Sequence, residues 1–137
     1  MLHAMPCKAV LLIIFYLGYS LYMQVLLQGI PVQEETTKDA VLEILADKYS
    51  RAILESTMEM PKSAIDLSND CGIPISTAYR RVQVLHKHKL LGISGSINNE
   101  GKKYFLYKSK VKSIMTCFNR GSIDIEIVPN SIESIEN

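Results

Sequence analysis

The sequence predicts an α+β fold in which three to four short helices are followed by β-hairpins. Three observations carry this. Between Val41 and Leu85 apolar residues recur at the three- and four-residue spacing of amphipathic helices. Beyond Leu91 the period shortens to two: Ile123, Ile125 and Ile127 alternate with Ser122, Asp124 and Glu126, the pattern of a strand buried on one face. Two turn sequences, Asn98-Asn99-Glu100-Gly101 and Asn119-Arg120-Gly121, divide the strand-like runs into pairs.

Residues 1–30 form an apolar N-terminal helix in this reading, since Ala9 to Gln33 contains no charged residue. About 20 apolar residues suffice to cross a bilayer, so residues 9–30 are a candidate transmembrane segment. Gln24, Gln28, Gly18 and Ser20 weaken that candidate, and Lys8 against Glu34 and Glu35 would orient the basic part of the chain away from the cytoplasm. A start-site artefact ahead of Met23 and a helix packed on a partner subunit accommodate the same residues. No cleavage site of small residues follows the apolar part, which argues against a secretory signal.

Residues 31–37 read as an acidic linker with a helix-start signal in Thr36 and Thr37. A main domain over 38–112 follows. Its first helix runs from Lys38 to near Ala46, and Asp47 is placed to cap the second, which carries Tyr49, Ile53, Leu54 and Met58 and stops before Pro61. Ser63, Ala64, Ile65 and Leu67 open a third helix, which Gly72 ends because it can enter the left-handed turn. Pro74 costs little at the start of a fourth helix, residues 75–89. Strands follow at 92–97 and 103–108, a second hairpin occupies 113–129, and 130–137 is a polar tail.

On a helical wheel of the fourth helix, Ala78, Val82 and Leu85 share one side, and Ser76, Arg80, Gln83 and Lys87 share the other. A helix buried on one stripe and showing a guanidinium, an amide and an ammonium on the opposite one suits the major groove of DNA. The charge distribution agrees. The formal net charge is only +1, yet residues 72–112 carry nine Lys and Arg against the single acid Glu100, while residues 31–71 carry nine acids against four bases. Cations confined to one segment are the footprint of a polyanion site. Lys102 and Lys103, just past the first hairpin tip, extend that footprint, and the bland alternative is a sheet edge guarded by lysines.

Other chemistries find little to stand on. The three cysteines, Cys7, Cys71 and Cys117, are far apart and form no CxxC, so neither a disulfide framework nor a zinc site is expected. His86 and His88 are two residues apart and do not share a helix face. No carboxylate pair, Ser/His/Asp arrangement or glycine-rich phosphate loop is present, so no catalytic residue, metal or cofactor is expected.

Taken in order, AVLEILADKYSRAIL over Ala40–Leu54, then DLSNDCGIPISTAYRRVQVLHKHKLL, then a hairpin ending in YFLYK, the chain resembles the winged helix-turn-helix transcription regulators, particularly the ArsR-like families common in archaea. The resemblance covers roughly residues 36–110. It implies double-stranded DNA as partner, a homodimer, a cytoplasmic location (membrane-anchored with its DNA-binding domain in the cytoplasm if residues 9–30 insert), and DNA contacts from Ser76, Thr77, Tyr79, Arg80 and Arg81. Arg80 and Gln83 suit base edges; Ser76, Thr77, Arg81 and Lys87 suit phosphates; Tyr79 flanks the face and suits core or contact equally. Lys102 and Lys103 would then be wing lysines. The chain departs from the family at Lys89, where such proteins often carry the glycine that ends the recognition helix. It also lacks the metal-sensing cysteine pair, since Asp66–Cys71 offers one thiol. A winged-helix module docking on protein or RNA is the competing function.

Overall fold

A computed structural model describes residues 29–130; the apolar run before Gly29 and the tail after Asn130 lie outside the described residues, as does Cys7. The described chain is α+β, in the order β1 (Ile30–Pro31), α1 (Glu35–Ala46), α2 (Lys48–Ser56), α3 (Ala64–Cys71), α4 (Ile75–Lys87), β2 (Leu91–Ile97), β3 (Lys103–Ser109), β4 (Val111–Asn119) and β5 (Ser122–Pro129).

The helices begin and end where local chemistry can satisfy their unpaired backbone groups. Asp47 caps α2, its carboxylate accepting from the Ser50 backbone N–H at 2.9 Å and the Ser50 hydroxyl at 2.7 Å. Ser63 and Asp66 close a reciprocal capping box on α3. α1 starts at Glu35, earlier than the threonines suggest, and Glu34 at its N-cap makes no side-chain capping bond. α2 stops at Ser56, short of Met58, because Thr57 leaves the helix with its hydroxyl donating to the Ile53 carbonyl while its own carbonyl accepts from Ser109 N–H.

Two helix ends share one device. At the end of α3, Gly72 takes the left-handed conformation (φ 63°) and Ile73 N–H reaches back to the Ser68 carbonyl. At the end of α4, Lys89 does the same (φ 62°), with Lys89 N–H on the His86 carbonyl and Leu90 N–H on the Leu85 carbonyl, both at 2.9 Å. The α4 end is a Schellman closure and the α3 end shares its six-to-one bond, and the residue following each left-handed position, Ile73 or Leu90, is buried. So α4 ends at Lys87 and not at 89, and a lysine occupies the backbone position that glycine fills at α3. A side chain in that region costs energy that glycine avoids, so Lys89→Gly is expected to raise the unfolding free energy by about 1 kcal/mol in urea denaturation.

β2 and β3 form a two-stranded antiparallel hairpin registered from Leu91↔Ser109 to Ile97↔Lys103. After Lys110 the chain enters a second antiparallel sheet of strand order β1-β5-β4. The β4–β5 turn holds Arg120 (φ 53°) and Gly121 (φ 80°) between the paired residues Asn119 and Ser122. Two positive φ values in a two-residue loop match the twist of a tight hairpin, a geometry that favours asparagine over arginine at the first position. Arg120→Asn is accordingly expected to add about 0.5 kcal/mol of stability, read as a higher thermal midpoint.

The main core joins the helices to the first hairpin: Ile53, Leu67, Ala78, Val82, Leu85, Leu90 and Leu91 are fully buried, and Tyr107 and Val111 complete the cluster. Each buried valine, leucine or isoleucine side chain contributes roughly 1.5–3 kcal/mol over exposure, and Ala78 less. A second contact sets α1 against β5, where Val41 and Ile125 are both buried, so the acidic hairpin covers part of the domain's own surface. Two features had no signal in the sequence: the two-residue strand β1, paired through Ile30↔Ile127, and the bridge between Lys62 and Tyr107, whose backbones exchange bonds at 2.8 and 2.9 Å. Cys71 is a free thiol, whereas Cys117 is not.

Candidate nucleic-acid interface

Rigid positioning of α4 starts at the turn before it. Gly72 reverses the chain, Ile73 anchors it in the core, and Pro74, with φ fixed near the helical value at −56°, stands at the N-cap of α4. From there the helix buries Ala78, Val82 and Leu85 completely. Ser76, Arg80, Gln83 and Lys87 are all exposed on the side away from that stripe. No aspartate or glutamate lies on α4, and His86 and Lys87 occupy its last turn, where positive charge opposes the negative end of the helix.

The flanks of this face differ. On one side Thr77 and Arg81 are half-buried. The Arg81 guanidinium grips Asp47 from two directions, with Nε 3.0 Å from Oδ2, out of line for a hydrogen bond, and Nη2 donating to Oδ1 at 3.3 Å. The side chain that the family resemblance offers to phosphate is thus engaged within the domain. Burial alone would raise the Asp47 carboxyl, but the two Ser50 bonds and the charges of Arg81 and Arg51 outweigh it and hold the group below its ordinary value.

On the other flank Tyr79 is 47% exposed, so it is a surface residue and not a core one. It borders a hollow closed by Ser63, Ala64 and Ile65 of α3 and its cap and by Lys103, Tyr104 and Phe105 of β3. Burial pushes the Tyr107 hydroxyl at the base of this hollow above its usual range, and nearby Tyr79 adds to the shift.

The hairpin projects beside α4. Its tip is organised by Asn98, whose carbonyl oxygen Oδ1 accepts from Glu100 N–H and Lys102 N–H. Lys102 and Lys103 are exposed; Lys102 lies a loose 3.9 Å from Glu100, and the Lys103 ammonium sits 5.5 Å from the centre of the Phe105 ring.

No family model matches this chain, and no curated protein matches it. Among solved structures, the chain is similar to a possible transcriptional regulator from Methanosarcina mazei Go1, with 17% identity and a TM-score of 0.46 over 62% of this chain and 78% of that one.

Of the side chains singled out in the sequence, the fold brings Ser76, Tyr79, Arg80, Gln83 and Lys87 onto the accessible side of α4. It sets Lys102 and Lys103 on the adjacent hairpin, and turns Arg81 toward Asp47. Sequence reasoning overlooked Tyr104 and Phe105, whose exposure on a strand reads as ordinary alternation until the hairpin is seen to overhang the core. It also overlooked the Asp47–Arg81 pair, which no local pattern announces across 34 positions. His86 Nδ1 lies 3.0 Å from the Leu91 carbonyl, linking the end of α4 to β2. Among the described residues no group of three His, Cys, Asp or Glu side chains is placed to hold a metal ion, and no helix is long and apolar enough to cross a membrane.

Proposed function

We propose that residues 38–112 are a winged helix-turn-helix domain that binds double-stranded DNA in a sequence-dependent way. The protein is a transcription regulator rather than an enzyme, with α3 and α4 as the helix-turn-helix and the β2–β3 hairpin as its wing. The observation that carries this is the two-sidedness of α4: three fully buried small and aliphatic side chains on one stripe, and Ser76, Arg80, Gln83 and Lys87 in the open on the other. An α-helix of that cross-section fits the major groove. There Arg80 pairs two donors with guanine and Gln83 matches a donor and an acceptor to adenine. Lys87 and Ser76 meet phosphates, and Lys102 and Lys103 reach the backbone or the minor groove alongside. Two copies related by a twofold axis would set their α4 helices into successive major grooves, as ArsR-like regulators of the archaeal type are built to do.

Selection from a random duplex library with the full chain tests the reading. A single enriched motif whose affinity falls steeply with salt is the expected outcome; enrichment of no duplex sequence would overturn it and favour a protein- or RNA-docking module. Within this reading, Lys102→Ala combined with Lys103→Ala is expected to weaken binding to specific and random duplexes alike. It should also reduce the slope of log affinity against log salt by about two, measured by fluorescence anisotropy.

A further inference from the structure

A second concavity lies at the C-terminal end of α4 and shares no lining residue with the face just described. Ile30 and Val32, with Leu90, Val111 and Ile127, give it an apolar lining, and its volume is about 420 Å³. That is within the range of small-molecule sites, where an apolar body is held by burial and a few polar groups set orientation. The polar side chains at this mouth are two lysines and one histidine. Lys89, Lys110 and His88 line it, and no acidic residue is among the described residues that do. The cavity touches three consecutive residues that finish α4: His88 at the C-cap, Lys89 in its left-handed conformation, and Leu90 buried beyond it.

We infer that this cavity binds a small organic carboxylate with an apolar, ring-sized body, its carboxylate at Lys89 and its body against Leu90, Val111 and Ile127. The charge of the mouth selects an anion over a neutral molecule of the same shape, and the apolar floor selects a hydrocarbon-bearing acid over inorganic anions. Placement at the closure of α4 gives such a ligand direct contact with the segment that sets where the helix stops. Its role as an effector of DNA binding rests on the function proposed above; its binding does not, because it is measured without DNA.

The test is a titration of the isotopically labelled full chain followed by amide NMR, with indole-3-acetate and indole-3-acetamide as probes matched in shape and differing in charge. Indole-3-acetate is expected to give saturable shifts at Val32, Leu90, Val111 and Ile127, extending into the last turn of α4, and to bind about fivefold more tightly than the amide. Lys89→Gly keeps the left-handed backbone and removes the charge that meets the carboxylate, so it should cut the preference for the acid to about twofold or less while leaving the weaker amide binding in place. Saturable shifts at other residues, none with either probe, equal affinity for the two, or a preference undiminished by Lys89→Gly would each overturn the inference.

Discussion

Asp47→Ala is expected to lower the unfolding free energy by roughly 2–3 kcal/mol in urea denaturation, an effect large for a residue that belongs to no hydrophobic core. The reason is that one carboxylate performs two tasks. It caps α2 through Ser50, a contribution of about 1 kcal/mol, and it faces the half-buried guanidinium of Arg81 on α4, which would otherwise lose its partner. The pair is partly open to solvent, with side chains 30% and 23% exposed, so solvent screening keeps its own share modest.

The pH dependence has a definite sign. The folded carboxyl titrates below its ordinary value of 3.8, so its stabilisation is complete above that pH and is lost as the pH falls through the lower folded value. Asp47→Asn separates the two tasks, since asparagine still caps a helix but carries no charge. It should cost less than Asp47→Ala and flatten the fall in stability on the acid side of pH 4, followed by urea denaturation at a series of pH values. An Asn variant that retains the wild-type acid profile would show that Asp47 does not couple α2 to α4 electrostatically.

Arg80→Ala is expected to cost about 1–3 kcal/mol on the selected duplex and to relax discrimination at a single base pair, with little change on random DNA. Arg80 is exposed at the middle of the outward stripe and no ion pair to it is seen among the described residues, so its removal leaves the fold unstrained. Arg81→Ala offers the contrast. Its guanidinium is held by Asp47, so the loss should appear chiefly in stability and only weakly in DNA affinity. Equal losses of specificity from both substitutions would mean that the Asp47 contact is exchanged for DNA on binding. Measurement of both variants by anisotropy and by denaturation distinguishes these outcomes.

The reach of sequence reasoning is visible in particular residues. Ala78, Val82 and Leu85 against Ser76, Arg80, Gln83 and Lys87 could be read in advance because a regular helix converts spacing into direction, and burial then follows from polarity. The Asp47 cap and the Gly72 turn were legible for the same reason, each being a bond between residues a few positions apart, whereas the reciprocal Ser63–Asp66 box was not picked out. The end of α4 was not. Lys89 has a poor intrinsic preference for the left-handed region, and it is held there by the burial of Leu90 and by two backbone bonds, not by anything in its own side chain.

What the amino-acid order determined unaided is therefore local: which segments are helical or extended, which stripe of α4 faces inward, and where positive charge gathers. Packing across long stretches of chain decided the rest. It paired β1 with β5 and Lys62 with Tyr107, gave Arg81 to Asp47 instead of to solvent, and opened a cavity at the C-terminal end of α4 between segments that begin at Ile30 and close at Pro129. The physical division is one of range. Propensity, capping and amphipathic spacing act over a few residues, whereas ion pairs, strand addition and concavities depend on which distant surfaces are pressed together when the core excludes water.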